Sequence, residues 1–376
     1  MKQRLGIWSF IGAAVVLVFL NFSCGKGGDN TTTTGTDSIL VNIGTNIILP
    51  GYQSLAGSVN SLDSAIIDFN ASPNSTKLSN LQSLFKTAYV NWVSVSMYNY
   101  EGPASDNQPP LSGLDKFPAS ASIIESNISA YTPSININSY ANQSAKGFPA
   151  LDYLLFANSS NLLTNYTTDA NAANRKQYLA LIAADIKTEI NNVLNGWMTS
   201  YNNTFMVGTG TSVSSSLGLT INSLDQEVDI LKNYRIGVPL GAVLVDSAGV
   251  NPTQVEAYYS GISAQLIVTQ VKAMQGLYLG TGTNGNGLGL TTYLTQSGKT
   301  YGGFTGASLD AQIKAQFTLV LTDMQSVSDP LSATIQTNAA PATKAFTDIQ
   351  HLLLLLKTDM PSLLGVAITY GDNDGD

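Results

Sequence analysis

The chain carries 25 carboxylate side chains against 17 lysines and arginines, with a single histidine and a single cysteine, so its chemistry rests mainly on oxygen donors. A zinc helix of the HExxH type needs two histidines one turn apart and is excluded. His351 lies in DIQHLLLLLK, on a strongly apolar helix with no nucleophile-elbow sequence elsewhere, so it reads as a structural histidine near a helix surface. Asp225 and Asp229 stand one turn apart in NSLDQEVDILKNYRIG, with Lys232 three residues beyond; they form either a locally paired helix face or a functional carboxylate pair. Asp372, Asp374 and Asp376 alternate in GDNDGD as at the start of a calcium loop, but the stretch reads as a solvated acidic end. The glycine-rich LGTGTNGNGLGL lacks the Lys-Ser or Lys-Thr ending of a P-loop and reads as a connection.

KGFPALDYLLF, residues 146–156, has a different character. Pro149 at a first helical position loses no hydrogen bond and presets the backbone angle, while Phe148 before it is biased toward extended geometry. Asp152 would then fall in the first turn, where a carboxylate meets unpaired N–H groups and the positive end of the helix dipole. That carboxylate serves either the helix itself or a cleft.

The elements that must hold these residues are helical. Leu81, Leu84, Phe85, Ala88, Trp92 and Val95 fall at steps of three and four, as do Leu179, Ile182, Ala183, Ile186, Ile190, Val193, Leu194 and Trp197. Each series makes one apolar stripe on a helix of about five turns, which must be buried against other helices. Further helical runs are expected from about Ile43 to Phe69, Thr211 to Arg235, Thr253 to Leu279, Ser308 to Val327 and Thr343 to Leu364. No long alternating run of β-branched residues appears, so a sandwich or barrel is disfavoured. In RIGVPLG, Gly237 can take the left-handed conformation that ends a helix, and Pro239 prevents its continuation. The expectation is an all-α protein of two four-helix-bundle-like domains side by side, residues 38–236 and 237–376.

Lys2 and Arg4 precede an apolar run from Leu5 to Phe22, which reads as an export signal over residues 1–23. Cys24 follows it directly, and no disulfide can form within the chain. The arrangement resembles a bacterial lipoprotein signal, which implies acylation of Cys24 and a membrane anchor, with residues 24–37 as a flexible tether. The residue after Cys24 is not aspartate, which resembles outer-membrane sorting, with the folded part facing the periplasm or the cell surface. Cleavage removes Lys2 and Arg4 and no acid, taking the formal net charge from −8 to −10. Nucleic acid is therefore excluded as a partner.

Several stretches together resemble the imelysin-like family of exported bacterial proteins, also classed as peptidases. They are Trp92 with EGP at 101–103, KGFPALDYLLF, SSSLGLTINSLDQEVDILKNYRIGVPLG at 214–241, and VEAYYSGIS at 255–263. The resemblance implies two helical bundles with a functional site between them, and a link to iron acquisition or metal binding. The family's G-x-H-x-x-E motif maps Gly147 onto its glycine, Pro149 onto its histidine and Asp152 onto its glutamate. Proline has no side-chain donor or acceptor, so the histidine's chemistry is lost.

A non-catalytic ligand- or metal-binding lipoprotein follows. Gly147, Pro149, Asp152, Glu101, Asp225, Asp229 and Arg235 are its expected ligand-binding residues. Asp152 is the expected ligand for iron or another divalent metal, the membrane is met through Cys24, and an envelope protein is a further partner. A metallopeptidase is the second reading, and it lacks a recognisable ligand set.

Overall fold

The computed structural model describes residues 35–99, 111, 113–158, 160–243 and 249–369. The signal, Cys24, Glu101 and the GDNDGD stretch lie outside them. The first long helices are α1 (Leu49–Ala71) and α2 (Ser75–Val93). In α1, Tyr52, Leu55, Val59, Leu62, Ile66 and Phe69 recur at three- and four-residue steps and are buried against α2. The Asn74 side chain starts α2 by accepting the Lys77 N–H at 3.0 Å, filling one of the helix's unpaired donors. Next come α3 (Gly147–Phe156) and α4 (Ala172–Gly196); α4 packs on both α1 and α3 through Tyr178, Ile182, Ile186, Ile190 and Val193.

The later part of the chain supplies α5 (Ser216–Ile230), α6 (Ser263–Leu279), α7 (Gly306–Met324) and α8 (Ala340–Leu354). Helix α7 packs on α6 and α8, and α6 reaches across to α2. Only two antiparallel pairs of two-residue strands, at 281–286 and 300–305, interrupt the helices among the described residues. The all-α expectation holds. From Gly35 onward the chain groups as one compact unit with a continuous apolar core.

Two local expectations change. Gly237 is right-handed (φ −68°) within a π-helical stretch, Leu231–Gly237, that runs on through Val238–Leu240; the left-handed stop is Gly241 (φ 69°). Pro239 does not end the helix, because it sits where the missing N–H belongs to a new first turn. Consequently α5 and its π-helical extension pack against α8, the last long helix, although the sequence placed them at the end of the first bundle. Residues 255–261 form turns instead of the start of a helix, and Ala257 there has φ 52°.

Candidate functional site

The start of α3 is fixed from beneath. Gly147 has φ 72°, and a Cβ there would stand 2.6 Å from the Leu114 carbonyl carbon, so only glycine fits the approach. The next amide, Phe148 N–H, donates to the Leu114 carbonyl at 2.8 Å. The Phe148 ring stacks on Tyr89 and Trp92 of α2, with centroids 5.0 and 6.0 Å away. Pro149 follows within the first turn, where a missing N–H leaves nothing unpaired.

Asp152 is the sixth residue of α3 and only 2% exposed, so it does not complete the first turn as the sequence suggested. Its Oδ2 accepts the Tyr259 N–H at 2.8 Å and its Oδ1 the Ser260 N–H at 2.9 Å. The positive φ of Ala257 turns the chain so that these amides present themselves to α3. Burial pushes the Asp152 carboxyl up to about 6, against the two amides and Lys86, which favour its charged form. At neutral pH it is ionised and clamps segment 255–261 onto α3.

A pocket of about 240 Å³ opens beside this clamp. Phe117, Pro149, Tyr258 and Tyr259 wall it, Asp152 stands on one side, and Thr253 and Gln254 bring polar groups to it. The Tyr259 ring meets Tyr153 and Tyr258 edge-on at 5.2 and 5.0 Å, which holds the aromatic wall upright. The volume lies just below the usual range of small-molecule pockets, about 300–1,000 Å³, so it suits only a compact ligand that presents an apolar face and a few polar groups.

Behind the Phe117 wall lies a buried charge cluster. The Arg235 guanidinium sits 5.5 Å from the Phe117 ring centre, 3.2 Å from Asp115 Oδ2 and 3.6 Å from Glu227, and it pairs directly with Glu256. Tyr89 Oη and Trp92 Nε1 donate to the two oxygens of Asp115 at 2.7 and 2.9 Å. Ser96 Oγ donates to Glu227 at 3.0 Å, and the Gln270 amide joins it. Three carboxyls around one guanidinium leave negative charge in excess, so burial, opposed by Arg235, pushes Glu256 up to about 8 and raises Glu227. The same carboxyls, Glu256 first among them, hold Arg235 in its charged form against burial.

The expected residues are only partly gathered. Pro149 and Asp152 line the pocket, Gly147 sets the backbone beneath it, and Arg235 lies one ring behind. Asp225 and Asp229 are elsewhere: Asp225 is fully buried, its carboxyl raised by burial against the pull of Lys357, and Asp229 accepts from Asn233 at 3.2 Å. A separation of four residues put them on one face, but neither lines the pocket beside Asp152. Asp115, Glu227 and Glu256 were not singled out. Glu227 and Arg235 are eight residues apart, which an uninterrupted α-helix would rotate out of line; the π-helical stretch at 231–237, with more residues per turn, brings them together.

As a metal site the clamp does not fit. Both Asp152 oxygens are engaged by backbone amides, and among the described residues no group of three or more histidine, cysteine, aspartate or glutamate side chains is placed to hold an ion.

The family model for imelysin, Peptidase M75, matches residues 48–356. The chain belongs to the imelysin family. Its fold is similar to that of the "putative iron-regulated protein A precursor" of Parabacteroides distasonis ATCC 8503, with a TM-score of 0.70 and 16% identity over 87% of this chain and 95% of that one. It is also similar to an imelysin-like protein from Psychrobacter arcticum 273-4, with a TM-score of 0.67 and 17% identity over 89% of this chain and 97% of that one. No curated protein matches the chain. No helix of the described residues is long and apolar enough to cross a membrane.

Proposed function

We propose that this imelysin-family chain is a non-catalytic binding protein of the cell envelope, anchored through Cys24 and working in iron uptake, whose ligand is a small organic molecule. The pocket carries the reading: about 240 Å³, walled by Phe117, Tyr258 and Tyr259, with one clamped carboxylate. Its walls come from both halves of the chain, α3 on one side and residues 253–259 on the other, so a ligand would bridge them. The iron link is supported by the similarity in fold to a protein named as iron-regulated and as a precursor, the latter consistent with export. Proline at the motif's histidine position and the engaged oxygens of Asp152 favour binding over metal-assisted hydrolysis.

The test is native mass spectrometry of the soluble mature chain exposed to small-molecule extracts of iron-limited cells, beside an Ala119→Trp variant that fills the pocket. A retained organic ligand, lost in the variant, supports the reading. Stoichiometric metal that disappears in Asp152→Ala, or peptide hydrolysis abolished by a chelator, would replace it with a metal site or a metallopeptidase.

A further inference from the structure

The aromatic side chains of the pocket beside Asp152 form a corner. Tyr258 and Tyr259 have ring centres 5.0 Å apart and planes at 80°, and Tyr153, which does not line the pocket, braces Tyr259 at 77°. Phe117 brings a third ring to the same opening. Asp152 is the one charged side chain among the described lining residues, and no lysine, arginine or histidine joins it there. Three rings and a carboxylate around about 240 Å³ make a site of negative potential, because the face of an aromatic ring carries the negative part of its quadrupole.

The neighbouring charges leave that potential in place. Burial, then Tyr258 and Asp152, raise the Tyr259 hydroxyl, so the field of the Asp152 carboxylate reaches the aromatic wall. Lys86, which also acts on Asp152, stands over the Phe156 ring at 5.3 Å and does not line the pocket. Arg235 lies 5.5 Å from the Phe117 ring centre, where Asp115, Glu227 and Glu256 meet its charge. Both Asp152 oxygens already accept backbone amides, at 2.8 and 2.9 Å. A primary ammonium brings three N–H donors that these oxygens are poorly placed to satisfy. A fully methylated ammonium has no N–H, and charge and ring faces alone hold it.

On the reading of this pocket as a ligand site, we infer that its ligand is a compact organic cation with a quaternary ammonium head. The head sits among Phe117, Tyr258 and Tyr259, within the roughly 6 Å over which a cation is drawn to a ring centre, and Asp152 is its counter-ion. Thr253 and Gln254 stand at the same opening and meet a polar group on a short tail. A volume below the usual range admits such a head with a tail of a few atoms and little more. The chain's 25 acids against 17 lysines and arginines draw cations toward it at low ionic strength.

The experiment is calorimetric titration of the soluble mature chain with choline and with its uncharged analogue, in which a tert-butyl group replaces the trimethylammonium head. The expected result is saturable one-to-one binding of choline, at least tenfold tighter than that of the analogue, which falls at least tenfold in Tyr258→Ala and in Ala119→Trp. Tyr258 is 37% exposed, so Tyr258→Ala leaves the core in place, and Tyr258→Phe, which keeps the ring, retains binding. Far-ultraviolet circular dichroism of each variant separates lost binding from lost folding. Equal affinity for the analogue, absence of saturable choline binding, or binding that survives Tyr258→Ala overturns the inference. An uncharged or anionic ligand retained from cell extracts and lost in Ala119→Trp would keep the ligand site and strike the cation. No retained ligand and no choline binding would strike both.

Discussion

Replacing Asp152 with asparagine tests whether the clamp, and not the helix terminus, is what this residue serves. In the wild type two backbone N–H groups each meet an ionised oxygen, at 2.8 and 2.9 Å. Asparagine keeps one acceptor but turns its NH₂ toward the other amide, leaving that donor buried and opposed. A hydrogen bond to a charged group contributes about 1.5–3 kcal/mol, and an orphaned buried donor costs about 1–3 kcal/mol. Relief of the carboxylate's desolvation offsets part of this, since the rise from 3.8 to about 6 amounts to about 3 kcal/mol at roughly 1.36 kcal/mol per unit. The net expectation is a loss of between about 0 and about 3 kcal/mol at pH 7.5, read as a lower urea midpoint with an unchanged slope. The same carboxyl also sets a pH dependence. Its folded pKa is raised, so the folded state binds the extra proton, and the wild type loses stability as pH rises from about 3.8 to about 6; asparagine lacks this slope. Amide exchange should accelerate at Tyr259 and Ser260 before it does in α1 or α4. A variant within 0.5 kcal/mol of wild type, a threshold set by ordinary surface substitutions at about ±0.5 kcal/mol, with unchanged exchange at those two amides, would refute the clamp.

Glu256→Gln should flatten the alkaline side of the stability profile: with its pKa raised from 4.5 to about 8, Glu256 makes the wild type lose stability as pH rises through that window, on the order of 1.4 kcal/mol per unit, and denaturation at pH 6 and 9 reads the difference. Phe148→Ala should cost about 3–5 kcal/mol by emptying the stack between Tyr89 and Trp92, with Trp92 emission shifting as water reaches it, which equilibrium unfolding followed by fluorescence measures. Gly147→Ala should destabilise by at least about 1–2 kcal/mol, because the left-handed backbone disfavours a Cβ and the Leu114 carbonyl blocks it; a thermal midpoint equal to wild type would contradict the geometry at this turn.

Much of the architecture was legible in the sequence because helices announce themselves locally. The step of three and four from Leu81 to Trp92 and from Leu179 to Val193 marks the buried faces of α2 and α4. Pro149 could likewise be placed at a helix start from its missing N–H, whereas Asp152 stands beyond the first turn and serves segment 255–261. Local pattern failed where geometry is set by a partner. Gly237 and Pro239 look like a stop, yet packing on α8 carries the helix through them to Gly241.

The sequence by itself determined that this chain is helical, acidic and poor in imidazole and thiol, because composition and periodicity are properties of neighbouring residues. It could not determine which carboxylates share a site. Asp115 reaches Arg235 across 120 positions, and Asp152 reaches Ser260 across 108. Such encounters depend on how helices cross and on two irregularities, the π-helical stretch at 231–237 and the left-handed Ala257. Only the folded chain decides them, since an ion pair or a backbone clamp needs atoms within about 3 Å, and no repeat along the sequence encodes that distance.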